Sequence, residues 1–229
     1  MLKREALMTR RSLPHSAEVA IAISSGGLRL PGTLTLPPGA HALVLFAHGS
    51  GSSRKSPRNT AVAQVLQTAG IGTLLFDLLT PEEDRDYATR FDIDLLSARL
   101  AGATRWVREE QRLAALALGY FGASTGAAAA LVAAAEPDAD IRAIVSRGGR
   151  PDLAGADALM RVTAPTLLIV GGEDHTVITL NRDAYVQLRC EKSLRIVPGA
   201  THLFEEPGTL EAVATLASEW FTRWLEAAL

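Results

Sequence analysis

A serine between two glycines is the strongest chemical signal in the sequence. The segment Gly122-Ala123-Ser124-Thr125-Gly126 follows an apolar run and precedes an alanine-rich stretch, so it falls where a buried strand would give way to a helix. A chain that turns this sharply strains its central residue and projects that side chain from the turn. Glycine is needed on both sides because a side chain there would collide with neighbouring backbone. The pattern predicts Ser124 as a nucleophile; the alternative is a tight turn without a catalytic role.

A serine nucleophile needs a base, and the base needs a carboxylate that orients it. His202 lies in a loop after the last predicted strand, whereas the other four histidines lie in the N-terminal tail, before a strand, in a glycine-rich loop or beside the candidate acid. Asp174 ends a Gly-Gly-Glu-Asp turn after the preceding strand, and Glu173 is the neighbour that could replace it. Asp77 also ends a strand, but it precedes the serine, against the expected chain order of serine, acid and histidine. We therefore predict Asp174 and His202 as the acid and base that serve Ser124.

Acyl transfer also needs hydrogen-bond donors for the oxyanion that develops in the transition state. The backbone N–H of Thr125, directly after the nucleophile, is predicted to be one donor. The second is predicted to come from the glycine- and serine-rich loop at residues 48–53, where the absence of side chains at the glycines lets the backbone approach a substrate. The N–H of Ser50 is the candidate in that loop.

Basic side chains near these loops bear on the charge of the substrate. They are Arg54, Lys55, Arg58, Arg147 and Arg150. If they point inward, the substrate carries a carboxylate or phosphate beside its ester, because arginine binds such groups in a bidentate manner. The alternative is a set of solvated surface cations. The candidate substrate contacts are Arg147, Arg54 and His48.

The apolar pattern predicts the elements that position these residues. Two short runs at 19–24 and 28–36, joined by a Ser-Gly-Gly turn, predict an antiparallel hairpin. Strands then alternate with helices, which implies a mostly parallel central sheet with helices on both faces. Predicted strands cover residues 42–47, 71–76, 113–121, 141–146, 166–170 and 194–197, and predicted helices begin near residues 56, 92, 124 and 210. The fold class is α/β, with a single domain at 17–229 after a basic, flexible tail at 1–16.

Composition excludes several functional classes. The chain has 229 residues, of which 48% are hydrophobic, and a formal net charge of −2, so it has no general attraction for nucleic acid or anionic lipid. Its single cysteine, Cys190, excludes an internal disulfide and a cysteine-built zinc site. Its apolar runs are far shorter than the roughly 20 residues that span a bilayer. We predict no metal, no cofactor, no nucleic-acid partner and no membrane association.

The N-terminal tail contains Arg10-Arg11, a pair that also occurs in twin-arginine export signals. Polar residues and a proline follow at 14–18, where such a signal needs an apolar stretch. We therefore expect a cytoplasmic protein, which also suits a lone unpaired thiol.

From residue 19 onward, the sequence resembles the α/β-hydrolase superfamily and, within it, the dienelactone-hydrolase-like group. The resemblance is carried by the His-Gly pair at 48–49, the turn around Ser124, the Asp174 turn and the His202 loop, in that order. It implies a single-domain α/β-hydrolase with a Ser-His-Asp triad. Dienelactone hydrolases use a cysteine nucleophile, whereas the matching residue here is Ser124, which favours a general serine esterase. Residues 147–164 are too few for the helical cap of larger relatives, so no cap domain and an open site are expected.

The predicted function is that of a serine hydrolase that cleaves a small-molecule carboxylic ester or thioester through an acyl-enzyme. One alternative is an acyltransferase that uses the same triad with an alcohol or amine in place of water. Another is a nucleotide-binding protein that uses Gly49-Ser50-Gly51 and Asp77, although Arg54 stands where that fingerprint requires glycine. The third is a non-catalytic binding module that retains the fold, although such a module has no need of three ordered residues from distant segments.

Overall fold

A single eight-stranded sheet forms the centre of the molecule. The computed structural model describes residues 16–23 and 27–226. The strands are β1 (Ser16–Ile23), β2 (Leu28–Thr35), β3 (Ala42–Ala47), β4 (Gly72–Phe76), β5 (Ala117–Ala123), β6 (Ile141–Arg147), β7 (Thr166–Gly171) and β8 (Lys192–Val197). Their order is β1-β2-β4-β3-β5-β6-β7-β8. The pairings of β2 with β1 and β4 are antiparallel, and all others are parallel, so the parallel strands end at one edge, where a doubly wound sheet binds its ligands.

Helices cover both faces of this sheet, as the sequence predicted. They are α1 (Pro57–Thr68), α2 (Ile93–Glu109), α3 (Thr125–Ala134), α4 (Ala156–Arg161), α5 (His175–Gln187) and α6 (Thr209–Leu225). One apolar core lies between the sheet and the pair α1 and α6, where Leu66 and Phe221 are fully buried. The opposite core takes side chains from α2, α3, α4 and α5, including Leu100 and Leu131. Strands between these layers are apolar on both faces, as in β3, where every residue is buried.

Two helices begin with the capping chemistry that their sequences predict. Ser56 Oγ accepts the N–H of Asn59 at 3.4 Å, and a proline follows Ser56 at the first helical position. Asp92 accepts the N–H of Leu95 at 2.9 Å. Each side chain satisfies one of the backbone donors that a helix N-terminus leaves unpaired.

The strand that leads to the serine starts later than predicted. It begins at Ala117 instead of residue 113. Two turns occupy the preceding residues, because the N–H of Leu113 donates to the Glu110 carbonyl and the N–H of Leu116 donates to the Leu113 carbonyl. An apolar run thus predicts burial correctly while leaving the first residue of a strand undefined.

The sequence pattern also missed α5. Its buried residues are few, namely Val177, Ile178, Asn181 and Ala184, so its apolar stripe is narrow. Its N-cap residue, Asp174, makes no side-chain capping bond. Asp174 is therefore of a residue type that commonly begins a helix, but its carboxylate does not bond the N-terminus of α5.

The ends of the domain and the connection between β6 and β7 bear on the predicted organisation. Ser16, assigned to the tail, is the first residue of β1. Residues 1–15 of the tail and residues 24–26 of the hairpin turn lie outside the described ranges. Between β6 and β7 the chain forms one 3₁₀ turn (Pro151–Ala154) and the six-residue α4, so this described segment contains no cap domain, as expected.

Candidate active site

The backbone of Ser124 has the strain expected of a sharp turn between strand and helix. Its φ is 51° and its ψ is −120°, a conformation that non-glycine residues rarely adopt. Hydrogen bonds hold it there: its N–H donates to the Arg147 carbonyl at 3.2 Å, and its carbonyl accepts the N–H groups of Ala127 and Arg150 at 3.0 and 3.1 Å. The strain is therefore maintained by neighbouring backbone from β6 and α3.

The glycines on either side of this turn are required for space. A Cβ added at Gly122 would lie 2.4 Å from Ala127 Cα, and one added at Gly126 would lie 2.1 Å from the Ala47 carbonyl oxygen. Both distances are far inside van der Waals contact, and in both cases the obstacle is backbone. The collisions predicted from the sequence pattern are thus present at both positions.

Asp174 and His202 meet at the same edge of the sheet. Asp174 Oδ2 lies 2.6 Å from His202 Nδ1, a short hydrogen bond between a carboxylate that follows β7 and an imidazole that follows β8. The neighbouring Glu173 is exposed, so Asp174 is the carboxylate that orients the ring. This bond places the proton on Nδ1 and leaves Nε2 as the basic nitrogen.

The loop that carries His202 is held by a carboxylate that the sequence did not single out. Glu206 accepts the N–H of Thr201 at 3.1 Å and the Thr201 hydroxyl at 2.6 Å. These hydrogen bonds, the hydroxyl first, lower the pKa of Glu206 below its ordinary value. Phe204 has a φ of 56° and is 1% exposed, so a second strained residue lies two positions after His202. No motif marks either residue.

Ser124 and His202 flank the same peptide of β6. The Ser124 N–H bonds the Arg147 carbonyl, and a Cβ added at Gly148, the next residue, would lie 3.6 Å from His202 Cε1. Among the hydrogen bonds of residues 16–23 and 27–226, none joins Ser124 Oγ to His202. The structure thus brings the three predicted residues to one edge, with the bond between Asp174 and His202 formed and no bond between His202 and Ser124.

The predicted oxyanion donors lie beside Ser124 and are linked to each other. Thr125 is the first residue of α3, and its N–H has no acceptor within the helix. The N–H of Ser50 donates to Thr125 Oγ1 at 2.9 Å. The close approach of this loop depends on Gly49, where a Cβ would lie 3.0 Å from Ser124 Cβ.

Two candidate substrate contacts have partners within the protein. His48 is buried, with Nδ1 3.0 Å from the Gly49 carbonyl and Nε2 accepting the N–H of Leu78 at 3.0 Å; burial lowers the pKa of this histidine. Arg54 forms ion pairs with Asp77 at 3.2 Å and Glu18 at 3.1 Å. These contacts pair both side chains with groups inside the protein, and Asp77 is the partner of a loop arginine.

The other basic residues differ in burial and pairing. Arg150 forms an ion pair with Asp152 at 2.7 Å, and Arg58 forms one with Glu205 at 2.9 Å. Lys55 is exposed. Arg147 is only 7% exposed, and its Nη2 donates to Asn59 Oδ1 at 3.4 Å. Among these five basic residues, Arg147 is therefore the one that is buried without a carboxylate partner in the described part of the chain.

Within residues 16–23 and 27–226, no group of three or more His, Cys, Asp or Glu side chains is arranged to hold a metal ion. Over the same ranges, no helix combines the length and the hydropathy needed to cross a membrane.

Sequence comparison relates most of the chain to known proteins. A family model described as "Alpha/beta hydrolase domain" matches residues 40–219. Two Mycobacterium tuberculosis proteins, each named "Putative phosphoribosyl transferase", are 57% identical over 208 residues, which is 91% of this chain and 47% of each relative. The chain thus spans about half the length of these curated relatives.

Solved structures with a similar fold include one with high sequence identity. Dienelactone hydrolase from Anabaena variabilis is 58% identical, with a TM-score of 0.87 over 93% of this chain and 100% of that chain. The esterase domain of a Rhodothermus marinus protein is 22% identical, with a TM-score of 0.73 over 92% of this chain and 99% of that chain. Est1E from Butyrivibrio proteoclasticus is 17% identical, with a TM-score of 0.75 over 92% and 98% of the two chains. The last two similarities concern the fold alone.

Proposed function

The chain belongs to the alpha/beta hydrolase family and is dienelactone-hydrolase-like, and on that premise we propose that it is a serine hydrolase that cleaves carboxylic esters or thioesters through an acyl-enzyme. The observation that carries this proposal is the strained backbone of Ser124, with its φ of 51° at the junction of β5 and α3. Strain of this kind persists only where the surrounding structure maintains it, and it is concentrated at functional sites.

The proposed reaction has two halves. Ser124 Oγ attacks the carbonyl carbon while its proton passes to His202 Nε2, and the resulting intermediate collapses as the C–O or C–S bond breaks. The leaving alcohol or thiol takes the proton from His202, and the acyl group remains on Ser124. Water then attacks the acyl carbon and gives a proton to His202, which returns it to Ser124 as the acid leaves.

Asp174 serves this cycle by its hydrogen bond to the imidazole. With Oδ2 2.6 Å from Nδ1, it fixes the tautomer that leaves Nε2 free to accept a proton, and it stabilises the imidazolium that follows. The proposal requires a bond between Ser124 Oγ and His202 Nε2 in the substrate complex. Catalytic hydrogen bonds are often long or absent without substrate and form when it binds.

The oxyanion is proposed to receive the N–H groups of Thr125 and Ser50. Each such donor contributes roughly 2.7–4 kcal/mol to transition-state stabilisation. The Ser50 N–H donates to Thr125 Oγ1. The oxyanion therefore either shares this N–H with the threonine hydroxyl or replaces the hydroxyl as its acceptor. Thr125 thus acts twice, through its own N–H and through the hydroxyl that orients the second donor.

The name of the Anabaena variabilis relative supports the same class of reaction. A lactone is a cyclic ester, and its opening is acyl transfer to water. The name of the M. tuberculosis relatives describes proteins of which this chain spans 47%. A strained serine with a neighbouring histidine suits attack on an acyl carbon, whereas phosphoribosyl transfer takes place at a sugar carbon.

Labelling with a fluorophosphonate probe tests the proposal, because the probe phosphonylates an activated serine. We expect a single modified residue, Ser124, located by mass spectrometry. Ser124→Ala should abolish both labelling and hydrolysis of a short activated ester. Ser52→Ala, which alters a nearby loop serine, is the matched control and should retain both. Label on another residue, or a loss of activity below tenfold in Ser124→Ala, contradicts the proposal.

A further inference from the structure

A cleft opens at the ends of β3 and β4, near the turn that carries Ser124. Its volume is about 240 Å³, and it lies between the loop after β3 and the segment that follows β4. Its lining includes His48, Ser53, Asp77, Leu79, Thr80 and Asp84. We call it the β3–β4 cleft, and the reaction steps proposed above use none of these side chains.

The β3–β4 cleft adjoins the candidate oxyanion site. A smaller cavity beside it is lined by Ser50 and Thr125, the two candidate oxyanion donors. Both cavities have three residues in common, namely His48, Leu79 and Asp84. β3 lies between β4 and β5 in the sheet, so the ends of β4 and β5 are about 10 Å apart. A group joined to an acyl carbon at the candidate nucleophile is therefore within reach of the cleft.

The position of the proposed base decides which part of the substrate faces this cleft. His202 follows β8, on the opposite side of Ser124 from β3 and β4. In the proposed reaction the leaving alcohol or thiol takes its proton from His202, so it lies on the β8 side of the nucleophile. The acyl part of the substrate then extends toward the β3–β4 cleft.

The carboxylates of the cleft are already paired with arginines. Asp77 Oδ2 lies 3.2 Å from Arg54 Nη1, and Asp84 Oδ1 lies 3.0 Å from Arg90 Nε. Because each negative charge is compensated within the protein, a neutral ligand suits these walls better than an ion. Each carboxylate can still accept further hydrogen bonds, since an ionised carboxyl group has about four acceptor positions.

Two hydroxyl groups of the cleft have an unused donor. Ser53 Oγ accepts the N–H of Lys55 at 3.2 Å, and Thr80 Oγ1 accepts the N–H of Glu83 at 3.2 Å. Neither hydroxyl proton has an acceptor among the hydrogen bonds formed within residues 16–23 and 27–226. The cleft therefore offers free donors and free acceptors side by side.

We propose that the β3–β4 cleft binds a neutral, hydroxyl-rich group in the acyl part of the substrate, as in an ester of a sugar acid or of a polyhydroxylated ring acid. This inference rests on the serine hydrolase function proposed above. Neighbouring hydroxyls both donate and accept, which matches the lone pairs of Asp77 and Asp84 and the protons of Ser53 and Thr80. Leu79, which is 6% exposed, gives the carbon skeleton of such a group an apolar contact.

Two pairs of methyl esters, matched except for their ring hydroxyls, test the proposal. Methyl shikimate is compared with methyl cyclohex-1-ene-1-carboxylate, and methyl quinate with methyl 1-hydroxycyclohexane-1-carboxylate. Within each pair the atoms next to the ester carbonyl are the same, so the intrinsic reactivity is similar. The measured quantity is the ratio of kcat/KM for the hydroxylated ester to kcat/KM for its partner, from the acid released in a pH-stat. We expect a ratio of roughly 10 or more in at least one pair, because a site that hydrogen-bonds substrate hydroxyls discriminates against the analogue that lacks them.

Deletion of single hydroxyls locates the effect. Thr80→Val and Ser53→Ala should each lower the ratio roughly 2–10-fold, which is the effect of losing one neutral hydrogen bond. Thr89→Val is the matched control, because Thr89 belongs to the same segment after β4 but its hydroxyl donates to Asp86 at 3.2 Å. This control should leave the ratio at its original value. A ratio that is unchanged in both Thr80→Val and Ser53→Ala overturns the β3–β4 cleft as the binding site.

The unaltered protein can overturn the proposal even if neither variant folds. A cleft that left substrate hydroxyls without partners would favour the ester that lacks them, because removing a hydroxyl from water without a compensating hydrogen bond is costly. Ratios of 1 or less in both pairs therefore overturn the hydroxyl-rich class of substrate. Absence of hydrolysis of all four esters, together with failure of the fluorophosphonate probe to label Ser124, instead contradicts the serine hydrolase itself.

Discussion

Ser124, the proposed nucleophile, is held by backbone contacts, whereas His202, the proposed base, also depends on side-chain carboxylates. Ser124 follows β5, a central strand in which all seven residues are buried, and its conformation is fixed by backbone hydrogen bonds and glycine contacts. His202 follows β8, the edge strand, in which one of six residues is buried. Its loop is held by the carboxylates of Asp174 and Glu206 in addition to backbone hydrogen bonds, such as that from the Glu173 N–H to the Ala200 carbonyl at 2.9 Å.

This difference determines what each region tolerates. The backbone around Ser124 is packed so closely that a methyl group added at Gly122 or Gly126 has no space. Part of the His202 loop is packed equally closely, since a Cβ added at Gly171 would lie 2.4 Å from the Ala200 carbonyl oxygen, but the placement of His202 also depends on individual polar atoms. Changes near Ser124 should therefore act on stability, and changes near His202 should act on activity with little effect on stability.

The largest effect is expected from the loss of the Asp174 carboxylate, which is proposed to orient the base. Asp174→Asn should reduce kcat by about 10⁴-fold, as in the serine protease precedent, because the amide stabilises the wrong histidine tautomer. Thermal stability should change little, since the substitution preserves size. Steady-state kinetics with a short activated ester measure the loss, and Glu173→Gln, at the exposed neighbouring position, is the control. A decrease below tenfold would show that Asp174 does not orient a catalytic base.

The next effect tests whether close backbone packing holds the Ser124 turn. Gly126→Ala places a methyl group 2.1 Å from the Ala47 carbonyl oxygen, and the backbone must move to admit it. We expect a loss of about 3 kcal/mol in the free energy of unfolding, which lowers Tm by roughly 6–12 °C in a domain of this size. Denaturant and thermal unfolding measure the loss.

Gly39→Ala is the matched control for that substitution. Gly39 has a φ of 74° and no atom within 4 Å of an added Cβ, so its cost is limited to about 1–2 kcal/mol of backbone strain. Equal losses in the two variants would mean that close packing does not distinguish the Ser124 turn from an ordinary loop.

The same difference explains how much of the molecule could be predicted from its sequence. The strands and the turn around Ser124 were predictable because a backbone-held element requires apolar runs and glycines at fixed spacing, and these are visible as residue types. Asp174 and His202 were predictable from chain order. Glu206 was not, because a carboxylate that bonds Thr201 in a loop follows no periodicity.

Two results depended on tertiary contacts that residue types do not encode. The burial of Arg147 follows from the packing of Asn59 and Phe204 around it, and a sequence shows only an arginine after a strand. Likewise, His48 and Arg54 lie in the loop next to the serine, yet their polar atoms bond Leu78 and Asp77 from the adjacent strand end. Proximity to a site was predictable, whereas the direction of each side chain was not.

A smaller effect is expected from the side-chain support of the His202 loop. Glu206→Gln should lower kcat/KM roughly 5–20-fold, because an amide replaces a charged acceptor of two hydrogen bonds and the base becomes less precisely placed. Tm should be nearly unchanged. Glu211→Gln, in the first turn of α6, is the control. If Glu206→Gln lowers Tm as much as Gly126→Ala does, the His202 loop is not a separate, side-chain-held region.

The smallest effect is a difference in how acid affects the two regions. Burial lowers the pKa of His48, beside the Ser124 turn, below its ordinary value of 6.5. As the pH falls, this histidine therefore becomes protonated in the unfolded chain at a higher pH than in the folded protein. The stability linked to His48 is complete above about pH 6.5 and falls as the pH decreases, by at most about 1.4 kcal/mol per pH unit. Glu206, whose pKa is lowered from 4.5, contributes in the same direction only once the pH falls below about 4.5. The free energy of unfolding should therefore fall between pH 7 and pH 5 in the unaltered protein and in Glu206→Gln, but not in His48→Gln. A decrease that persists in His48→Gln would place the acid-sensitive group elsewhere.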